Sequence, residues 1–358
     1  MPAQDTVRDR ISLLRALMIF GIVVLHTPDY VSLDDLGSGT FENIKAFFQH
    51  AVFRCTVPVL TFVSGYLLFG SALDTRPATL LRKKARTIGV PFLVFNLALL
   101  AAAYVMQLKL GLKTSPKLIP FDTWIWIDAA FGLTGSPINY PLNFLRDLLA
   151  LMLLAPAFGW LLRHYQWLGL VLVSYIFMTN LDGYLVLRNV MPLLFYLGGM
   201  AAVGRWDMRA LDRFAAPLLA LFLALCACVI IFKWKNTNYL RLVSPFLVWP
   251  AASLLLDTAA GRYLARMSKY SFFLFVSHAP VLLATWLVYQ RVGGAVPYPL
   301  YWLLAPVLTT AIVIAVYRLA ARWAPGLLGA ALGQQIVRDR RPRQQVVVST
   351  PDLSVKGD

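Results

Sequence analysis

Charge is what this sequence has least of. Only 14% of its 358 residues are charged, against about a quarter in an ordinary soluble domain, while 59% are hydrophobic. That balance excludes a soluble globular protein. Acid is scarcer than base, with 17 Asp and Glu against 33 Lys and Arg, a formal net charge of +16. Cysteine is scarce as well. Cys55, Cys226 and Cys228 lie in apolar runs, offer neither a disulfide framework nor metal-ligand spacing, and read as buried thiols. No P-loop, no G-x-G-x-x-G after a strand, no zinc spacing and no G-x-S-x-G elbow occurs. The small-residue "LGGM" at 197–200 reads as close helix packing, not as a phosphate cradle.

What the chain does have is long apolar runs, with a mean hydropathy of +0.66. They fall at 11–28, 47–69, 88–108, 142–162, 166–179, 189–204, 212–232, 240–257, 270–290 and 301–323. A span needs about 20 residues, so the fifth is short. The expected fold is an all-α, polytopic transmembrane bundle of about ten helices. Arg8 and Arg10 before the first run resemble a signal peptide's start, but "HTPDY" follows without a small-x-small cleavage site, so an uncleaved first helix is expected.

Ten crossings put both termini on one side. With that side cytoplasmic, the inner segments include "RPATLLRKKAR", "RWDMRALDR", "GRYLARMSK" and the "RDRRPR" tail, and inner Lys and Arg outnumber outer ones. The positive-inside bias therefore favours cytoplasmic termini, and it accounts for the basic balance without a nucleic-acid partner. The long outer stretch 109–140 carries "FDTWIWIDAAFG". It reads either as an interfacial aromatic anchor or as the cover of a binding cleft. No inverted repeat of the transporter kind is evident. Residues 1–323 form the expected transmembrane domain, and 324–358 a basic, polar, loosely ordered cytoplasmic tail.

Ionisable residues inside a span are costly and mark function unless they snorkel to the surface. Arg15, near the inner end of the first helix, admits both readings. His26 stands eleven residues on, roughly 16 Å along the axis and about three full turns round, so both project from nearly one face. His26 reads as part of a polar track or as an interfacial histidine wetted by the outer loop. Arg54 lies too deep in the second run to snorkel easily and needs an acidic or carbonyl partner. Arg146 and Asp147 point about 100° apart and are expected to pair with other helices, Asp147 with Arg54 or as an orienter of His26. His278 reads as a satisfied core histidine or as a catalytic one. His50 and His164, at the membrane edges, are expected to carry no chemistry, and no metal site is expected.

Arg15 and His26 make an Arg, ten residues, His pattern that resembles the hallmark of the bacterial membrane acyltransferase-3 family, which O-acylates carbohydrates at the cell envelope. Three further stretches resemble the family in order. "VPVLTFVSGYLLF" is similar to its proline-to-Ser-Gly segment, "LRKKARTIGVPFL" to its basic segment running into a proline, and "MSKYSFFLFVSHAPVLL" to its late Ser-Tyr-to-His segment. The likeness spans roughly residues 10 to 320 and is nearest to members that modify exopolysaccharides with succinyl or acetyl groups. Where an Arg-x-x-Arg pair is usual, this chain has Lys83 and Arg86 with Arg82 alongside. A glutamate common after a middle tryptophan is absent, with Asp147 one position away. The soluble hydrolase-like domain that larger members carry at the C-terminus is absent from this sequence.

The resemblance implies a bacterial inner-membrane enzyme. It would move an acetyl or succinyl group from cytoplasmic acyl-CoA, a donor substrate and not a bound cofactor, to a hydroxyl of a surface or extracellular polysaccharide or its lipid-linked precursor. His26 would act as general base or form an acyl-histidine, Arg54 would stabilise the oxyanion, and Arg15 would receive the donor. Arg82, Lys83, Lys84 and Arg86 would hold the donor phosphates, although a plain positive-inside cluster explains these four equally well. Ser64, Asp147, Arg146 and His278 are candidate supporting residues. The partners implied are the polysaccharide, the bilayer and other polysaccharide-assembly proteins. The rival reading is a non-enzymatic transporter or flippase of a polysaccharide unit.

Overall fold

A computed structural model describes residues 3–334 apart from 38, 112–114 and 182, and the described residues contain helices and no strands. Twelve continuous helical segments follow one another: α1 Ala3–Leu25, α2 Thr40–Gly70, α3 Pro77–Lys109, α4 Thr123–Phe131, α5 Tyr140–His164, α6 Gln166–Thr179, α7 Val190–Val203, α8 Asp212–Ile231, α9 Asn238–Leu256, α10 Ala259–Val292, α11 Tyr298–Trp323 and α12 Pro325–Ala331. Seven of these (α2, α3, α5, α8, α9, α10 and α11) are long and apolar enough to cross a membrane. In lipid every backbone polar group must be satisfied within the protein, which helices achieve unaided. The chain is a multi-pass membrane protein.

Each of the ten apolar runs lies on a helix, and the helices differ from the runs chiefly by extending into charged sequence. α3 begins at Pro77, a favoured first helical residue, and continues through Arg82, Lys83, Lys84 and Arg86 because Lys and Arg are good helix formers. The outer stretch 109–140 holds α4, which the hydropathy pattern alone does not separate from loop. The Asp122 side chain caps its start by accepting from the Ile125 amide at 2.9 Å, and Gly132 ends it at a φ of +63°.

The loosely ordered tail expected from residue 324 does not begin there. Residues 325–331 form α12, with Leu328 buried and the Gly333 backbone close against the Arg86 carbonyl. The stretch "APGLLGAALG" is apolar, and burying that surface against the bundle orders it. Residues 335–358, with the "RDRRPR" motif, lie outside the described residues.

The most extensive helix pairing is between α2 and α7. It depends on small residues that let the backbones approach. A Cβ on Gly65 would collide with the Phe195 carbonyl, and one on Gly198 with the Phe62 carbonyl. The Ser-Gly and "LGGM" segments are thus two sides of one contact.

At one end of the bundle the few acidic residues hold connecting segments. Arg10, almost wholly buried, makes a two-pronged ion pair to Asp212 at 2.8 and 2.6 Å, and Arg163 reaches Asp74 at 2.5 and 3.1 Å.

α1 ends inside the protein. Thr27 and Pro28 follow it, and proline disfavours helical backbone in the residue before it. The carbonyls freed at that end are met by one buried amide, since Gln49 Nε2 donates to the carbonyls of Val24 (3.3 Å), Leu25 (3.4 Å) and Thr27 (2.8 Å). That contact fixes the closing turn of α1, which carries His26.

Candidate active site

His26 follows the last residue of α1, with its amide still bonded to the Ile22 carbonyl at 3.1 Å. Its ring meets His278 of α10. Nδ1 of His26 lies 3.1 Å from Nε2 of His278, and the rings stack with centroids 5.4 Å apart and planes 9° apart. Tyr140, at the start of α5, closes edge-on to His26 at 4.8 Å. His278 is fully buried, and its Nδ1 lies 2.8 Å from the Phe275 carbonyl and 3.2 Å from that of Leu274.

This geometry sets the tautomers. A carbonyl can only accept, so Nδ1 of His278 carries the proton and, in a neutral ring, Nε2 is an acceptor. Nδ1 of His26 therefore donates to it, leaving Nε2 of His26 with a free lone pair. An imidazole held this way is a base whose other nitrogen is already oriented. His278, treated at the level of sequence as either a core or a catalytic histidine, is both satisfied by its own helix and joined to His26.

His278 stands seven residues after Ser271 and fourteen before Val292. At 1.5 Å per residue the pair is about 10 Å from Ser271 and about 20 Å from Val292 along α10. His26 itself is half-buried and packs on that fully buried ring. The stretch before α5 is anchored beside it. Asn139 accepts no role at the ring itself, but its backbone amide donates to Asn96 Oδ1 at 2.8 Å and its side chain to the Val276 carbonyl at 3.3 Å. Asn96 in turn donates to the carbonyls of Ala129 and Ala130 in α4. The outer stretch thereby packs down beside the histidine pair.

Arg54 lies on a 3-10 turn, Val52–Cys55, within α2. Among the described residues it has no acidic partner. Its Nη2 donates to the Tyr30 hydroxyl at 2.9 Å, and its charge reaches His26. Two arginines that sequence reasoning passed over complete the surroundings. Arg188, in the loop before α7, also acts on His26, and Arg54 and Arg188 both act on Arg241 of α9. Burial lowers the Arg188 guanidinium to about 10, opposed by Asp147 and assisted by Arg54, so it stays charged near neutral pH. Arg241 lies within the 240–257 run, where the rule that singles out Arg54 applies to it equally.

Asp147 serves another purpose than the one expected. It is fully buried and pairs with its neighbour, Arg146 Nη1 lying 2.9 Å from Oδ1. The adjacent Cβ atoms do diverge, but the long arginine side chain swings back across the turn. Arg146 continues to the carbonyls of Gly132 (3.1 Å), Leu185 (2.7 Å) and Tyr184. Asp147 also accepts from the amides of Leu187 (3.0 Å) and Arg188 (3.2 Å). The Arg146–Asp147 pair thus ties α5 to the loop carrying Arg188, and neither residue contacts Arg54 or His26 through a hydrogen bond.

Other expectations are redistributed. Ser64 donates to the Leu60 carbonyl of its own helix at 2.7 Å and takes no part at the histidine pair. His50 is buried, with Nε2 2.7 Å from the Val31 carbonyl and Nδ1 3.2 Å from the Tyr30 hydroxyl, so it braces the tyrosine that holds Arg54. It sits inside the long helix α2, which begins at Thr40. His164 ends α5 in an exposed position.

Arg15 is separated from this site. Its exposed side chain lines a cleft of about 760 Å³ with Arg8, Ser12, Tyr66, Trp206 and Arg209. Arg82, Lys83 and Arg86 are exposed and Lys84 half-buried on α3, and none of them lines that cleft. Among the described residues no three His, Cys, Asp or Glu side chains are grouped to hold a metal.

The half-buried His26 and the fully buried His278 are thus paired within a helical membrane bundle. The chain belongs to the acyltransferase-3 family of membrane acyltransferases, whose acyltransferase domain matches residues 8–318. Among characterised proteins it is similar to the succinoglycan biosynthesis protein ExoH of Rhizobium meliloti (strain 1021), with 33% identity over 351 residues, 94% of each chain. No solved structure matches it.

Proposed function

We propose that this protein is an acyl-CoA-dependent O-acyltransferase of the bacterial inner membrane that esterifies a hydroxyl of an exopolysaccharide or of its lipid-linked precursor. The observation that carries this reading is the His26–His278 pair, which leaves Nε2 of His26 free to take a proton. The family supplies the reaction class, and the similarity to a succinoglycan biosynthesis protein supports a polysaccharide acceptor.

In the proposed reaction Nε2 of His26 accepts the proton of the acceptor hydroxyl as its oxygen attacks the thioester carbon. Arg54 and Arg188, whose charges reach His26, stabilise the oxyanion that develops. The carbon–sulfur bond then breaks, the ester remains on the sugar, and His26 returns its proton to the leaving CoA thiolate. Stacking and the fixed hydrogen bond from its own Nδ1 to His278 hold the imidazole for both transfers.

The donor reaches this point from the cleft at Arg15, which we place on the cytoplasmic side with both termini. Arg8, Arg15 and Arg209 there provide guanidinium donors for phosphate, and Trp206 and Tyr66 provide flat faces for a nucleotide base. The cluster Arg82, Lys83, Lys84 and Arg86 attracts the polyanionic donor to the same membrane face. Arg15 and His26 are eleven residues apart on one helix, so the thioester arm must bridge roughly 16 Å between them.

Mass analysis of the extracellular polymer from a deletion strain tests the reading. Loss of one ester substituent with the polymer otherwise intact is expected. Loss of the polymer itself would point to a transporter instead.

A further inference from the structure

After His26 the chain leaves α1, so its next backbone groups have no partners in that helix. Other helices meet them instead. The Thr27 carbonyl accepts from Gln49 of α2 at 2.8 Å. The Pro28 carbonyl and the Asp29 amide are both met by one side chain, that of Tyr298, the first residue of α11. Its hydroxyl donates to the Pro28 carbonyl at 3.1 Å and accepts from the Asp29 amide at 2.8 Å.

The remaining place on that hydroxyl is taken as well. Lys45 of α2 donates to it from Nζ at 2.9 Å and lies 4.8 Å from the centre of the same ring. A phenolic hydroxyl has one hydrogen to give and two lone pairs. Tyr298 uses all three, with one bond out to Pro28 and two in from Asp29 and Lys45. Lys45 is buried, and among the described residues its ammonium forms no ion pair. Phe41, one turn earlier on α2, meets the Tyr298 ring edge-on at 5.8 Å. Trp286 and Tyr289 of α10 lie 6.4 Å from it on the other helix of the hairpin. A phenylalanine would make those ring contacts equally well. What the hydroxyl adds is a fixed tie from α11 to the backbone just beyond the candidate base.

We propose that Tyr298 is a positioning residue for His26: its hydroxyl, held by the Lys45 ammonium, fixes Pro28 and Asp29 and thereby the turn that carries the imidazole. This rests on the acyltransferase reading above. Thr27, the one residue between, cannot absorb a shift. Its amide is bonded to the Val24 carbonyl at 3.1 Å and its side-chain hydroxyl to the Val23 carbonyl at 3.0 Å. A movement at Pro28 therefore passes to His26, whose Nδ1 must stay 3.1 Å from Nε2 of His278. Gln49 holds the turn from α2 and Tyr298 holds it from α11, so the loss of either releases it. The chemistry is sensitive to such a release, because a misplacement of about 1 Å can cost about 10²-fold in rate.

The test measures kcat and KM for acyl-CoA and for the acceptor polymer with the full chain in membranes, and thermal unfolding of the detergent-purified protein. Tyr298→Phe keeps the ring and removes the hydroxyl. Its kcat is expected to fall by about tenfold to a hundredfold, with both KM values unchanged. It should also unfold at lower temperature, because the buried Lys45 ammonium loses its hydrogen-bond partner. Lys45→Met/Tyr298→Phe removes that stranded charge, so it should regain much of the unfolding temperature and none of the lost kcat. Gln49→Leu/Tyr298→Phe should lose less in kcat than the product of the two single losses, since both release the same turn. Recovery of kcat together with stability in Lys45→Met/Tyr298→Phe overturns the proposal in favour of a purely structural tyrosine. A raised KM for the polymer with kcat unchanged in Tyr298→Phe overturns it in favour of an acceptor contact. If the wild type consumes no acyl-CoA, the proposed function fails and this assignment falls with it.

Discussion

His278 turns its Nε2 toward Nδ1 of His26 at 3.1 Å while its own Nδ1 is held by the Phe275 carbonyl at 2.8 Å. The buried ring therefore fixes the tautomer of the one beside it. His278→Phe keeps the ring's bulk and removes the acceptor. It should lower kcat by about tenfold or more with membrane levels maintained, since general-base catalysis as a whole contributes about 10²–10⁴-fold. His278→Gln, which can still present an oxygen, should retain more activity than His278→Phe. Equal losses would mean that the acceptor nitrogen is not what matters.

Gln49 is the residue that ends α1 in place. Gln49→Leu leaves the carbonyls of Leu25 and Thr27 without their donor, while that of Val24 keeps the Thr27 amide at 3.1 Å. A buried group deprived of its partner costs about 1–3 kcal/mol. Thermal unfolding of the detergent-purified variant should begin at lower temperature, and kcat should fall because His26 sits in the loosened turn.

Asp147 and Arg146 should behave as a unit. Removing one member of a buried pair leaves the other charge uncompensated, at about 3–5 kcal/mol, and Asp147 also holds two backbone amides of the Arg188 loop. Asp147→Leu is expected to reduce the folded yield sharply, with partial recovery in the double variant Asp147→Leu/Arg146→Leu. Size-exclusion profiles of the two variants read this directly.

The α2–α7 contact makes a steric prediction. Gly65→Val places a side chain against the Phe195 carbonyl, with backbone and not a flexible side chain in the way, and should abolish accumulation of folded protein. Gly89→Ala is the control. Its Cβ meets nothing within 4 Å, so yield and activity should be unchanged.

The helices were legible in the sequence because lipid imposes long apolar runs, and each of the ten runs coincides with a helix. Short elements were not, since α4 and α12 depend on a capping aspartate and on packing against the bundle that hydropathy does not register. His26 and Arg54 at the site, and Arg15 in its separate cleft, stood out as charges or imidazole inside apolar sequence. The pairing of His26 with His278 did not, because 252 residues separate them and only tertiary packing joins them. Arg188 was hidden by its place in a loop, where a lone arginine looks like any solvated charge. The rule that adjacent helical residues diverge misled for Arg146 and Asp147, since it describes Cβ directions and not the reach of a long side chain.

The central claim is that Nε2 of His26 takes the proton of the acceptor hydroxyl. It is tested most directly by measuring CoA release and ester formation on the polymer with His26→Ala, set against wild type at equal membrane abundance. The account predicts a fall of about 10²–10⁴-fold in turnover, with the folded yield unchanged. Undiminished acylation by His26→Ala would contradict it.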